Sequence, residues 1–314
     1  MAERTIGIAG ERAGYDEAGP VILRWTAPDA LSNLVAVLEL TDEGQLRCSA
    51  ASRRPFAATV KLVEDVLVAG DYYDRDHCNG AHCEPIAAFA WPMLLQTGGM
   101  AQLVGTRLEL TSRGQKALAR PSYDALGALW ARWLKSVSYD ELSRIEAIKG
   151  QRRPGTLTSV PRRRAVVAAG LAEVTPGAWL DVDELLEILR AQEPPLVVAR
   201  NLMALWRLYL VDSYYGTLGH AAAAAWDVLE GRYALCVLFE YAATMGLIDV
   251  AYTDPRGARD DYRGLWGGDG YAWLSRYDGL VAVRVNELGD AILHDPDVLP
   301  DLALPVPRRL RPVQ

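Results

Sequence analysis

The sequence predicts a fold that is mostly α with small β wings (α+β), a wing being a pair of short antiparallel strands. Apolar residues recur at helical spacing along most of the chain, and alternating strand patterns are confined to about residues 101–111 and 247–285. Both strand patterns also end alike. Residues 108–118 read LELTSRGQKAL and residues 283–293 read VRVNELGDAIL, so the chain carries the same helix-start signal twice.

Length and composition indicate a globular protein with two domains of ordinary size. The chain has 314 residues, half of them apolar, which is enough for two hydrophobic cores. Charges near the N-terminus interrupt any signal peptide, and the uncharged stretch 85–106 contains Pro92 and several glycines, which favour a buried helix and hairpin over a membrane span. We therefore expect a cytoplasmic protein without a membrane partner, and no disulfide framework among its four Cys residues.

In the first predicted domain, residues 1–150, helices surround the first wing. Ser52 is typical of a helix start, Gly98 and Gly99 of a helix end, and Gly105-Thr106 of a tight turn between strands. The predicted elements are helices at about 28–40, 52–68 and 86–97, strands at about 101–104 and 107–111, and helices beginning near Thr111, Pro121 and Ser138.

Residues 151–161 are predicted to be a linker, and residues 162–314 to form a second domain with an aromatic, Gly-rich insertion in its wing. Asp181 to Glu184 has the pattern of a capping box, which marks a helix start. The other predicted elements are a helix at about 196–211, a helix at 221–245 that is either continuous or broken at Gly231, strands at 247–252 and 280–285, and a helix beginning near Asn286.

Both halves share one order of elements. A helix that ends at a Gly is followed by a strand, a turn or insertion, a second strand, an N-cap residue and a closing helix. A hairpin of two strands is not stable alone in water, so each must pack on the helices around it. With the Thr111-x-x-Gly114-x-x-x-Leu118 ending, this order resembles the winged helix-turn-helix superfamily. The second copy departs from it through Asn286 in the cap position and an insertion of about 27 residues. The second half also resembles the winged-helix regions attached to XPB-type helicases, although the chain has no phosphate-binding motor motif.

The resemblance implies contact with duplex DNA, and the charge distribution supplies candidate residues. The formal net charge is −7, yet residues 107–164 contain thirteen Lys or Arg against five Asp or Glu. The helices before both wings are apolar, so the helix predicted at 52–68 is the better candidate for a DNA contact. The alternative is that these cations are ordinary surface charges or belong to a solvated linker. The candidate nucleic-acid-binding residues are Arg53, Arg54, Lys61, Arg107, Arg113, Lys116, Arg152, Arg153, Arg162, Arg163 and Arg164.

Two further features are candidate sites. In the insertion DYRGLWGGDGYAWLSRYDGL, Trp266, Tyr271, Trp273 and Tyr277 suit a protein interface, or else the cap of a core. The stretch His77-Cys78-Asn-Gly-Ala-His82-Cys83 offers zinc ligands, but structural zinc sites usually draw theirs from two separated pairs, so an exposed loop is favoured over a metal site.

The sequence therefore predicts a protein that is not an enzyme, has no cofactor and binds nucleic acid, as a transcriptional regulator or helicase accessory. The alternative is a protein-interaction scaffold whose winged helices do not bind DNA, because the helices before both wings are apolar and the remaining sequence is acidic. A small metalloenzyme built on the His-Cys loop is a third, less favoured hypothesis.

Overall fold

A computed structural model describes residues 19–73, 85–221 and 225–294. The chain is rich in helix and has small antiparallel sheets, so the predicted α+β class is confirmed at that level. The His-Cys stretch lies outside the described residues. Within the described ranges, no helix combines the length and apolar character needed to cross a bilayer.

From residue 19 on, the first half has a short strand followed by helices that flank a two-stranded hairpin. The hairpin and the helices around it lie close to the predicted positions. The elements are β1 Ile22–Arg24, α1 Ala27–Asp42, α2 Ala57–Val66, α3 Ala87–Thr97, β2 Ala101–Val104, β3 Arg107–Leu110, α4 Ser112–Ala119, α5 Tyr123–Lys135 and a 3-10 turn Glu141–Arg144.

The second half has the same general plan with a longer connection before its main helix. Two π-helical segments, Asp227–Gly231 and Val237–Ala242, flank a short α-helix and together form what we call the central helix, residues 227–242. The elements are α6 Val160–Ala172, β4 Trp179–Asp181, α7 Val182–Arg190, α8 Leu202–Leu205, a 3-10 turn Leu218–Ala221, α9 Arg232–Cys236 within the central helix, β5 Ile248–Tyr252, a 3-10 turn Gly268–Gly270, β6 Leu280–Val285 and α10 Glu287–His294.

Strand pairing follows one scheme in both halves. In the second half, β4 lies between the first two helices and pairs with β6, which pairs in turn with β5. In the first half, β2 pairs with β3, and a single antiparallel bridge from Arg47 to Arg107 of β3 is the equivalent of the β4–β6 pairing. The second sheet gains β1 at its edge, which gives the order β1-β5-β6-β4. The repeated sequence thus corresponds to a repeated element order.

The repeated sequence ending makes the same hydrogen bonds in both halves. Thr111 Oγ1 accepts from the Gly114 N–H at 3.3 Å, and Asn286 Oδ1 accepts from the Gly289 N–H at 3.0 Å. The same two side chains also donate to the carbonyl of a preceding glycine, Thr111 to Gly99 at 2.8 Å and Asn286 to Gly246 at 2.9 Å. Asn286 therefore performs the capping role of Thr111, with its amide nitrogen as donor and its amide oxygen as acceptor.

The glycine of each ending is required by a close backbone approach. A Cβ added at Gly114 would lie 2.1 Å from the Met100 carbonyl oxygen, and one at Gly289 would lie 1.9 Å from that of Leu247. Met100 and Leu247 both come directly before the first strand of the hairpin. Any side chain at either glycine would push the closing helix away from the sheet, which explains why Gly recurs at this position.

One continuous cluster of buried apolar residues contains side chains from both halves. Helix α3 packs against the C-terminal part of the central helix, and most residues of both helices are buried. Rings also cross between the halves, since Trp133 stacks on Tyr241 with centroids 5.0 Å apart and Tyr72 meets Phe239 at 4.5 Å. The helices that precede the two hairpins are therefore part of the contact between the halves, together with α5 and β1.

Three predicted helices are wrong in detail. Helix α2 begins after Phe56, five residues later than predicted, because residues 49–54 form a turn in which Arg53 has a left-handed φ of 61°. Ser138 caps no helix: the Asp140 side chain caps the 3-10 turn, and the Glu141 carboxylate pairs with Arg164. The helix expected at 196–211 is reduced to α8. The residues before α8 are extended instead, because the Thr158 N–H donates to the Val198 carbonyl and the Arg200 N–H donates to the Thr156 carbonyl.

The predicted start of α7 is confirmed, and the structure decides between a continuous helix and a break at Gly231. Asp181 is the N-cap of α7 and accepts from the Asp183 N–H at 2.8 Å. The central helix continues through Gly231 rather than breaking there.

Candidate functional site

Two of the predicted phosphate contacts are wrong, because both residues are buried. Arg164 is fully buried and donates to the Glu141 carboxylate at 2.9 Å and to the carbonyls of Ser136 and Tyr139 at 2.8 and 3.1 Å. Arg163, 1% exposed, donates to the Asp140 carboxylate at 2.6 Å. A buried guanidinium is held by such partners because desolvation without them is costly. Both residues join α6 to the segment after α5 and cannot reach a ligand.

Arg54 is likewise occupied by the protein, although it was predicted to lie at a helix N-terminus. Its guanidinium donates to the Ser143 carbonyl at 2.8 Å and to the Ser143 hydroxyl at 2.9 Å, and it lies over the Phe89 and Tyr139 rings. Arg53 is exposed but lies in the turn before α2. The predicted helix-terminal pair is therefore wrong, since neither residue lies in the helix and only one is free to face solvent.

Two other candidate cations have carboxylate partners on the surface. Lys61 pairs with Asp65 one turn along α2, and Arg107 donates to Glu109 at 2.7 Å. Exposed pairs of this kind add little stability, but they lower the positive potential that a phosphate would meet. The remaining candidates are exposed: Arg113, Lys116, Arg152, Arg153 and Arg162.

The basic groove is a shallow depression of about 420 Å³ beside the C-terminal ends of α3 and α5. Arg113 of α4 reaches its edge, where the guanidinium donates to the Gly99 carbonyl at 3.4 Å. The groove thus brings one predicted residue together with Arg132 and Lys135, which were not among the residues predicted from the sequence. Its lining residues are Thr97, Gly98, Gly99, Arg132, Lys135, Ser136, Val137 and Ser138.

A second surface, the aromatic face, is formed around residues 202–215 and by one residue of the insertion. It consists of large apolar side chains that are between 39% and 73% exposed, and a contiguous patch of such side chains marks an interaction site more often than a single one does. Its members are Leu202, Met203, Trp206, Val211, Tyr214, Tyr215 and Trp266.

The rings of the aromatic face are adjacent to one another. Tyr215 lies 5.5 Å from Trp266 and 5.0 Å from Tyr214 between ring centroids. His220 connects Tyr214 to Trp206, because its ring meets the indole at 4.7 Å and its Nε2 lies 3.1 Å from the Tyr214 carbonyl oxygen. The exposed rings therefore form one continuous surface.

Polar side chains hold the backbone below these rings. Asp212 Oδ1 accepts from the N–H groups of both Tyr214 and Tyr215 at 2.8 Å, and these bonds hold the pKa of the Asp212 carboxyl below its ordinary value. The Thr217 hydroxyl donates to the Trp206 carbonyl at 2.8 Å. Asn201 caps α8 by accepting from the Ala204 N–H at 2.9 Å. The loop is thus ordered by its own hydrogen bonds, which reduces the entropy that binding would remove.

Arginines border the aromatic face on one side. Arg207 donates to the Pro154 carbonyl and Arg200 to the Leu157 carbonyl, both at 3.4 Å, so the loop that carries Arg152 and Arg153 lies against this surface. Across the part of the chain that the structure describes, none of these arginines has a carboxylate within ion-pair distance. This side of the aromatic face is therefore positive.

The predicted interface residues are divided among three places. Trp266 lies on the aromatic face, whereas Tyr271 and Trp273 are half-buried beside a separate cavity of about 150 Å³. Tyr277 is wrong as an interface residue: it is fully buried, its hydroxyl bonds to the Glu240 carboxylate, and burial raises the pKa of the phenol well above its ordinary value. Glu240 in turn accepts from Arg144 at 3.0 Å.

Sequence reasoning missed most of the aromatic face because residues 196–211 were predicted as an apolar helix. The local signals against that helix were present in the sequence, since Asn201 and Asp212 both favour turns and Arg200 and Arg207 do not suit a buried helix. No known protein family, curated protein or solved structure matches this chain, so its function is argued from the fold and its surfaces.

Proposed function

We propose that this protein is a binding protein rather than an enzyme, built from two winged-helix-like halves, and that the aromatic face binds a protein partner. It agrees with the scaffold alternative of the sequence analysis in having a protein partner and in reading no DNA sequence. The repeated order of helices and strands and the equivalent caps at Thr111 and Asn286 support the winged-helix-like description.

The place of the helices before the hairpins favours a scaffold over a protein that reads duplex DNA. A winged helix of the DNA-binding kind inserts one exposed helix into the major groove. Here α3 has buried residues from Ala87 to Leu95, and residues 228–242 of the central helix are buried as well. Neither helix presents a polar face to solvent, so both serve to join the halves.

The single observation that carries the proposal is the continuous surface of exposed Trp and Tyr rings, with the exposed Leu202 and Met203 side chains on the adjacent helix α8. Trp, Tyr, Met and Arg are enriched in protein interfaces, and Trp, Tyr and Arg contribute most of the binding energy there. Leu is not enriched in this way. Tyr and Trp bury large areas with few rotatable bonds. The surface therefore has the composition of an interface core.

The charge beside the aromatic face indicates an acidic partner. Arg200 and Arg207, with Arg152 and Arg153 next to them, would attract carboxylates flanking the apolar residues of a partner. Pairing of this face with the same face of a second copy would bring like charges together, which is unfavourable. A partner chain that combines large apolar residues with Asp or Glu fits the surface best.

A random 12-residue peptide library displayed on phage tests the proposal. We expect the selected peptides to combine acidic and large apolar residues. Tyr215→Ala and Trp266→Ala should each weaken their binding about 30-fold, since a central interface residue contributes about 2 kcal/mol. Isothermal titration calorimetry of synthetic peptides measures the change.

Phe56→Ala provides the matched control, because Phe56 is an aromatic residue of similar exposure that is remote in sequence from this surface, at 43% against 51% for Trp266. Its peptide affinity should equal that of the wild type. The proposal is contradicted if selection yields no peptide, or if the selected peptides bind the Tyr215 and Trp266 variants as tightly as the wild type.

A further inference from the structure

The basic groove lies on a different part of the molecule from the aromatic face. Arg132 and Lys135 belong to the last turn of α5, Arg113 belongs to the first turn of α4, and Gly98 and Gly99 end α3. Residues at the ends of α3 and α5 thus line this depression of about 420 Å³, and α4 reaches its edge through Arg113. None of this is used by the proposed protein interface.

The cations of the groove have no ion-pair partner in the part of the chain that the structure describes. Among the described residues, no carboxylate lies within 4.0 Å of the charged ends of Arg113, Arg132 or Lys135, and none lines the groove. Cations in the last turn of a helix also offset its negative end, which accounts in part for Arg132 and Lys135. It does not account for Arg113, which reaches the same groove from the beginning of α4.

We infer that the basic groove binds the phosphate backbone of nucleic acid without reading its sequence. The groove is larger than a single phosphate requires, it is open to solvent, and its polar lining is made of side chains that recognise phosphate: guanidinium, ammonium and hydroxyl. Val137 is its one large apolar lining residue, so it lacks the apolar core that an acidic peptide would need.

Binding to the backbone alone follows from the burial of the helices before the hairpins. Base readout needs a helix or strand that enters a groove of the duplex. With α3 and the central helix inside the protein, phosphate contacts supply the affinity, and that affinity depends strongly on salt.

Fluorescence anisotropy with a labelled 20-base-pair duplex, measured from 20 to 200 mM salt, tests the inference. The triple variant Arg113→Gln, Arg132→Gln, Lys135→Gln should bind at least about tenfold more weakly than the wild type at the lowest salt. The negative slope of its log affinity against log salt should also be shallower, by about 0.9 for each phosphate that the variant no longer neutralises. Circular dichroism should confirm that the variant keeps its fold.

The control variant Arg152→Gln, Arg153→Gln, Arg200→Gln removes the same charge beside the aromatic face. It should retain more of the wild-type affinity and slope. The inference is overturned if both triple variants weaken DNA equally, if the control variant weakens it more, or if the wild type shows no salt-dependent binding. It is also overturned if the groove variant loses binding to phosphatidylglycerol vesicles but not to DNA.

Discussion

Glu230 shows how one buried carboxyl group attaches the segment below the aromatic face to the core. It lies on the first π-helical segment of the central helix and is 7% exposed. Its Oε1 accepts from the Val198 N–H at 2.8 Å, just before the segment that leads to α8. Burial raises the pKa of this carboxyl to about 7, while the backbone bonds and the Arg163 charge oppose the rise.

Glu230 is therefore predicted to make stability fall as pH rises. Between its ordinary pKa of 4.5 and about 7, the folded protein keeps a proton that the unfolded chain has lost, so the free energy of unfolding decreases across this window. Glu230→Gln cannot ionise. The free energy of unfolding of the variant minus that of the wild type should therefore increase by on the order of 3 kcal/mol between pH 4.5 and 7.5. Urea unfolding at several pH values measures this, and a difference that does not vary with pH would refute it.

At the scale of elements, the repeated ending joins each hairpin to the helix that closes it. The cap residue, the glycine three residues later and the carbonyl before the first strand make one tight contact in each half. Gly99 and Gly246, whose φ values are 71° and 81°, provide the left-handed turn that brings this carbonyl into place.

Gly289→Ala is predicted to destabilise the protein, because its new methyl group would lie 1.9 Å from a backbone oxygen that cannot rotate away. We expect a loss of about 1 to 3 kcal/mol in the free energy of unfolding, measured in urea, and a similar loss for Gly114→Ala. Gly231→Ala is the matched control, since its Cβ would have ordinary contacts at 3.6 Å within a helix. Alanine there should be neutral or stabilising by up to about 1 kcal/mol. Equal effects at the three glycines would disprove this account.

The same elements explain what the sequence could and could not predict. Both hairpins and their closing helices were predictable because caps, Gly and strand alternation act within about ten residues. The burial of Arg163 and Arg164 could not be predicted from the sequence. Their partners Asp140 and Glu141 lie 23 residues away and meet them only through the packing of α6. The basic groove was predicted only in part. Arg113 was a candidate because it lies in a basic stretch of sequence, whereas the proximity of α3, α4 and α5 depends on tertiary packing.

On the scale of the whole molecule, charged residues as well as apolar ones link the halves. Arg144, at the end of the last 3-10 turn of the first half, pairs with Glu240 of the central helix, and both side chains are fully buried. The same Arg144 guanidinium lies 3.6 Å from the centre of the Phe89 ring of α3. Breaking a buried pair by removing one partner typically costs about 3 to 5 kcal/mol, so these contacts favour folding of both halves together.

Differential scanning calorimetry of the wild-type protein tests most directly the claim that the helices before the hairpins join the halves. If α3 and the central helix form one shared core, the protein should unfold in a single transition whose calorimetric and van't Hoff enthalpies agree. Two separable transitions, one for each half, would contradict the account, because α3 and the central helix would then belong to independent domains and could be exposed to a ligand.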